Sequence, residues 1–221
     1  MGSFKTVFQY GEAEEVIEKS RFIAYCQPIK TEAEAVAFIE KIKKKHWDAT
    51  HNVPVYVLGE TYGVQRYSDD GEPSGTAGVP ILSMLKNEGI TDLVVVVTRY
   101  FGGVKLGTGG LVRAYTHTAK LGLETALIIE KVVYSFLKIC VNYHLHGKIQ
   151  NYLLGASEFI IEETEFLEEV SISLYALPEQ VESLTDKLTD LCNGQILIED
   201  LGEAYLSIHD GKILDKEAVE S

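Results

Sequence analysis

Cysteine, proline and tryptophan are scarce in this 221-residue chain, which has three Cys, five Pro and one Trp. Cys26, Cys140 and Cys192 are odd in number, far apart and free of Cys-x-x-Cys spacing. That excludes a disulfide framework and a cysteine zinc site, and reads as buried thiols in a reducing compartment. Few prolines beside 46% hydrophobic residues exclude a disordered, Pro-rich chain. No apolar run approaches membrane-spanning length. Residues 1–10 show no basic segment followed by an apolar one, so no secretory signal is expected. The expectation is a cytoplasmic monomer with no membrane partner.

Motifs of several chemistries are missing too. There is no Lys-Ser/Thr after a glycine loop, as a nucleotide-binding Walker loop needs, and no Gly-x-Gly-x-x-Gly dinucleotide fingerprint. No Asp-x-Asp calcium run occurs, and His144 and His146 lack neighbouring ligands. No Ser/His/Asp or Cys/His arrangement can be read, so no catalytic residue, metal or cofactor is assigned. Ser68 and Ser74 are nucleophile candidates by composition alone. Excess positive charge is absent as well: the formal net charge is −13. It is unevenly spread, since residues 1–133 carry 15 Lys/Arg against 16 Asp/Glu and residues 134–221 carry 5 against 17. A generic nucleic-acid binder is more often basic throughout, so any such contact needs a local basic patch on the first half.

Such a patch is present. A buried-strand run, residues 93–97, leads into Thr98-Arg-Tyr-Phe-Gly-Gly-Val-Lys-Leu-Gly-Thr-Gly-Gly-Leu-Val-Arg113, with five glycines in nine residues. A helix-compatible run follows from near Gly110 through Leu123. Glycine permits sharp turns and close backbone approach, and a helix start offers unpaired N–H groups and partial positive charge to an anion. Arg99, Lys105 and Arg113 add full charges. The glycines Gly102, Gly103, Gly107, Gly109 and Gly110 are therefore candidate phosphate or carboxylate binders, with Tyr100 or Phe101 available to stack on a base. Tight turning and helix–strand packing is the plainer alternative.

Upstream, residues 68–80 form a loop dense in carboxylates and hydroxyls. Asp69, Asp70 and Glu72 could hold Mg²⁺ or act as acid and base, could close an Asx-turn before Gly71, or could pair with Arg99 or Arg113 and order both loops. His51 could join them as a titratable group. Ser74 or Thr76 is a plausible N-cap for a helix through Leu85.

The pattern divides into two domains and a tail, 1–132, 133–206 and a polar 207–221, of which 210–221 are expected to fray. In the first, Thr31 and Glu34 form a capping box ahead of a helix whose inner face is expected to carry Val36, Ile39 and Ile42. Lys41, Lys43, Lys44 and Lys45 crowd that helix's end, where cations suit the dipole, and read as a solvated terminus. Residues 52–58 and 63–67 read as a hairpin. From residue 134 the order is strand 134–141, helix 144–154, strands 158–164 and 168–176, helix 178–192 and strand 196–205. That βαββαβ order is the ferredoxin-like split arrangement, so the fold class is α+β.

Ser68-Asp-Asp-Gly-Glu-Pro-Ser-Gly-Thr-Ala-Gly-Val-Pro-Ile-Leu82 and Val97-Thr-Arg-Tyr-Phe-Gly-Gly-Val-Lys-Leu-Gly-Thr-Gly-Gly-Leu-Val-Arg-Ala-Tyr115 closely resemble the signatures of the IMPACT family, and Asp48-Ala-Thr-His-Asn52 fits the same pattern. The resemblance spans roughly residues 15–130, and the second half is similar to the extra C-terminal domain of bacterial YigZ-type members. It implies a first domain resembling domain IV of elongation factor G, βαβ-type with a left-handed crossover, and a ferredoxin-like second domain. It also implies a link to translation control, with RNA or the ribosome as partner.

Three functions remain in view. The first is a non-enzymatic protein engaging RNA or the ribosome through the glycine loop. The second is an enzyme acting on a phosphorylated or carboxylated small molecule, with Lys105 neutralising the anion and Asp70 or His51 as base. The third is a protein-interaction module using the acidic C-terminal domain.

Overall fold

The computed structural model describes residues 3–156 and 158–219. The chain is α+β and divides into two compact units, Phe4–Glu130 and a second that begins at Lys131.

The first unit opens with β1 (Phe4–Val7) and the hairpin β2 (Gly11–Ile17) and β3 (Ser20–Pro28). Helix α1 (Glu32–Lys45) follows, then the hairpin β4 (His51–Leu58) and β5 (Val64–Tyr67), helix α2 (Gly78–Glu88), strand β6 (Leu93–Tyr100) and helix α3 (Gly107–Thr125). Strands lie side by side in the order β2-β3-β6-β4-β5, each pair antiparallel.

Both faces of this sheet are covered. Phe22, Ala24, Val53, Val55, Val95 and Val97 pack with Ile81 and Leu85 of α2 and with Tyr115 and Leu123 of α3. Their neighbours Ile23, Tyr25, Tyr56, Val94 and Val96 pack with Ala35, Phe38 and Ile42 of α1. Burial on both sides is why β6 reads as an unbroken apolar run although its pairing is antiparallel.

Local signals held in part. The Thr31 hydroxyl accepts the Glu34 N–H at 3.2 Å, but Glu34 answers to the Lys30 N–H, at 2.7 Å, rather than to that of Thr31. The buried stripe of α1 is Ala35, Phe38 and Ile42, so Val36 is a correction: it is 50% exposed. Ile42 fits either stripe, and a helical period permits both; the large Phe38 ring decides between them.

Strand β7 (Ile128–Val141) leads into the second unit and precedes α4 (Tyr143–Gly155), β8 (Ile160–Phe166), β9 (Val170–Ala176), a single 3₁₀ turn and α5 (Val181–Leu191), then β10 (Leu197–His209) and β11 (Lys212–Ala218). The strand order is β11-β10-β7-β9-β8. Leu137, Ile139, Ile172 and Leu174 pack against Ile149 of α4 and Leu184 and Leu188 of α5.

The tail is a correction. Residues 212–218 are not frayed but pair with β10, and Ile208 and Ile213 pack with Tyr175 and Leu206. The turn is Asp210-Gly211, with φ +47° and +73°. Asp-Gly is a strong two-residue hairpin signal, outweighed in the sequence by the polarity around it. Among the described residues no helix is long and apolar enough to cross a membrane. The three thiols are unpaired; Cys26 and Cys192 are buried, whereas Cys140 is only half-buried, its Sγ 3.5 Å from the Ser171 hydroxyl.

Candidate functional site

Strand alternation sorts the candidate residues before any side chain is considered. Val95 and Val97 face α2 and α3, so Arg99 does too, and Tyr100 turns to the α1 face. His51 stands opposite Arg99 in register.

Arg99 is 5% exposed. Its Nη1 donates to Glu72 Oε1 at 2.6 Å and its Nη2 to the Ser20 hydroxyl at 3.2 Å. The guanidinium carbon lies 5.2 Å from the Phe22 ring centroid and 5.4 Å from that of Phe101. The Tyr115 hydroxyl, from α3, donates to the same Glu72 oxygen at 2.8 Å. Burial, and then the Glu72 carboxylate beside it, push the Tyr115 phenol well above its ordinary range. His51 Nε2 is 3.7 Å from that oxygen, and its Nδ1 lies 2.7 Å from the Asp70 carbonyl. A carbonyl only accepts, so Nδ1 carries the proton.

The acidic loop and the glycine segment therefore meet, through Glu72. Arg99 is committed to the interior and is not offered to a phosphate.

Asp69 and Asp70 are also engaged. Asp69 accepts the N–H groups of Gly75 at 2.8 Å, Ala77 at 3.2 Å and Gly78 at 2.8 Å, closing the start of α2. Neither hydroxyl expected there caps it: the Thr76 hydroxyl donates to the Pro73 carbonyl at 2.7 Å, and Ser74 is exposed on the loop. Asp70 holds the Asn52 N–H at 2.6 Å and stands 3.7 Å from Lys43. These bonds tie the loop to β4 and to the end of α1. Asn52 and Ser20 were missed in the sequence; a hydroxyl that follows a hairpin turn carries no local mark of a partner far along the chain.

The glycines divide by what each permits. A Cβ on Gly102 would sit 1.9 Å from the Lys19 carbonyl oxygen, so the loop lies directly against the β2–β3 turn. That turn places Glu18 and Lys19 at φ +45° and +66°, a strained conformation for side-chain-bearing residues. Gly103 and Gly107 have φ +86° and +69°. A Cβ on Gly110 would sit 3.0 Å from that of Leu106. A Cβ on Gly109 would meet nothing within 4 Å, and Gly109 has no left-handed φ.

Helix α3 starts at Gly107, so Gly107, Gly109 and Gly110 lie in its first turn rather than before it. Its cap residue, Leu106, supplies no side-chain bond. One helix start of this site, that of α2, is closed by a carboxylate; the other stays open.

Beside the open one is a depression of about 710 Å³, lined by Ile17, Glu18, Val104, Lys105, Leu106, Gly110, Arg113, Ala114 and His117. Lys105 and Arg113 are exposed and have no carboxylate partner among the described residues. They bring cationic charge to the first turn of α3, which suits an anion. His51, Asp69, Asp70, Glu72 and Arg99 do not line this depression.

On the opposite face, Tyr100 donates to Asp48 at 3.2 Å and meets His46 Nδ1 at 2.9 Å. His46 Nε2 lies 2.5 Å from the Tyr25 hydroxyl. Burial first, then Lys45 and Arg21, hold the His46 pKa below its ordinary value. Among the described residues no group of three or more His, Cys, Asp or Glu is placed to hold a metal ion.

The model of the Impact N-terminal domain matches residues 18–123, which hold all of this arrangement except Ile17. The Domain of unknown function (DUF1949) matches residues 139–195. IMPACT family member YvyE of Bacillus subtilis (strain 168) is 44% identical over 204 residues, 92% of this chain and 94% of that protein. The chain belongs to the IMPACT family.

IMPACT family member YigZ of Escherichia coli (strain K12) is 34% identical over 184 residues, covering 82% of this chain and 90% of that one. Having both domains in this order marks the chain as a YigZ-type member of the IMPACT family. A solved structure described as "Crystal structure of an hypothetical protein" is also similar, with TM-score 0.56 and 31% identity over 90% of this chain and 97% of that one.

Proposed function

We propose that this IMPACT family member is a non-enzymatic cytoplasmic protein that engages RNA or the ribosome and regulates translation, acting as a monomer. One observation carries the reading: Lys105 and Arg113 stand exposed and unpaired, among the described residues, beside the uncapped start of α3. Interior cations are neutralised by interior carboxylates, whereas these two are left for an anion outside. Phosphate contacts made this way position a partner without reading its sequence.

The order β10-β7-β9-β8, with α4 and α5 packed on one core, supports a ferredoxin-like second unit. The sheet and helices of the first support a likeness to domain IV of elongation factor G. The acidic second half limits non-specific nucleic-acid binding, or docks a protein partner.

The test is binding of purified protein to ribosomes and to short single-stranded RNA across a salt series, beside the Lys105→Ala/Arg113→Ala double variant. The wild type should bind in a salt-sensitive way, and the variant should weaken binding and flatten the salt slope by about two contacts. No binding at low salt overturns the reading.

The depression's volume favours one alternative, an enzyme for a phosphorylated or carboxylated small molecule. Calorimetry with small phosphorylated compounds separates the two.

A further inference from the structure

Trp47, the one tryptophan of the chain, is 83% exposed. Its place in the turn between α1 and β4 is fixed from both sides. The His46 N–H donates to the Ile42 carbonyl at 2.9 Å, and the His46 carbonyl accepts from the Ala49 N–H and from Asn52 Nδ2, each at 3.1 Å. Asp48 accepts from the Tyr100 hydroxyl at 3.2 Å. The Thr50 N–H donates to the Arg99 carbonyl at 2.9 Å, and the Thr50 hydroxyl accepts the Phe101 N–H at 2.9 Å. A well-tied turn thus presents an indole to solvent.

A single exposed aromatic needs no explanation. Trp47 is not single: the bonds just given set its turn against Tyr100 and Phe101, and Phe101 is 47% exposed. Arg21 lies 5.7 Å from the Tyr100 ring centroid. Just before Trp47 runs the last turn of α1, with Lys44 three residues away. Lys41 and Lys44 are exposed and have no carboxylate partner among the described residues. Lys43 and Lys45 are partly engaged, 3.7 Å from Asp70 and 3.5 Å from Glu12.

An exposed indole with Lys44 three residues and Lys41 six residues before it suits a single strand whose bases are unpaired. The base stacks on the π face while flanking phosphates meet the lysines. A duplex shows no base face, and an apolar protein anchor would meet charged chain neighbours, Lys43-Lys44-Lys45 before the tryptophan and Asp48 after it, rather than apolar ones.

We propose that Trp47 stacks an unpaired base of single-stranded RNA, with Lys41 and Lys44 on the adjoining phosphates. This rests on the RNA reading above and adds a second contact to it, on the lysine-rich helix end.

Because the indole is unique, its emission reports directly. The full-length protein is titrated with a dye-labelled 12-nucleotide oligouridine, and anisotropy and tryptophan emission are followed together. Emission should be quenched in step with anisotropy. Trp47→Ala should weaken binding on the order of 10-fold, while Trp47→Phe keeps most of the affinity. If Trp47→Ala fails to fold, quenching of the wild type remains the deciding measurement. Binding with unchanged emission, or with equal affinity in Trp47→Ala, overturns this inference and leaves the glycine-loop reading standing. Equal loss on a 16-base-pair duplex overturns stacking. Absence of any RNA or ribosome binding removes both.

Discussion

Arg99 and Glu72, 27 residues apart in the chain and one in each motif, form a buried ion pair, Nη1 to Oε1 at 2.6 Å. Glu72→Ala leaves the guanidinium buried without its partner and should cost about 3–5 kcal/mol of stability. Arg99→Ala should cost a similar amount. Made together, they should cost less than the sum by more than about 1 kcal/mol, because neither charge is then left alone. Urea unfolding of the two single variants and the double variant measures this. A double variant that loses the full sum would mean the pair does not couple the loops.

How much of this was legible depends on the range of each interaction. The Thr31 cap, the β4–β5 hairpin and the strand over 168–176 are local, and the sequence shows them. That both loops form one structure follows from Glu72, Arg99 and Tyr115 meeting, which periodicity cannot reveal. A carboxylate–arginine pairing was one alternative among three, and the structure selects Arg99 over Arg113 because strand alternation turns Arg99 inward. Asp69 was opaque for another reason. It caps α2 from nine residues before Gly78, at 2.8 Å, outside the short spacing that cap signatures use. Trp47 carried only its rarity, and its exposure needed the folded chain.

The His46 ring sits between two tyrosine hydroxyls, and its folded pKa is lowered by burial and by nearby Lys45 and Arg21. The unfolded chain then binds more protons than the folded one once pH falls below the ordinary histidine value of about 6.5. His46 thus contributes stability that is complete above that value and declines as pH drops toward the lower folded pKa. Urea midpoints measured from pH 7.5 down to 5.5 should fall for the wild type. They should fall less steeply for His46→Gln, whose overall stability is lower. Parallel slopes in the two proteins would assign the pH response to other groups.

Two glycines of the glycine-rich segment, Gly102 in the loop and Gly109 in the helix after it, should respond oppositely to alanine. At Gly102 a methyl group would overlap the Lys19 carbonyl oxygen, 1.9 Å from the Cβ position, and backbone would have to move. Gly102→Ala should therefore lower the unfolding midpoint sharply, by more than about 3 kcal/mol, a size reserved for few mechanisms. Gly109 has neither a close neighbour nor a positive φ, and it occupies the first turn of α3, where alanine is the better helix former. Gly109→Ala should raise stability by up to about 1 kcal/mol. If an anion approaches the backbone there, the same methyl group should weaken binding to RNA or ribosomes several-fold. A variant that is both more stable and a poorer binder would show that Gly109 serves ligand approach rather than the fold. One that is more stable and binds as well as wild type would place the phosphate contact on Lys105 and Arg113 alone.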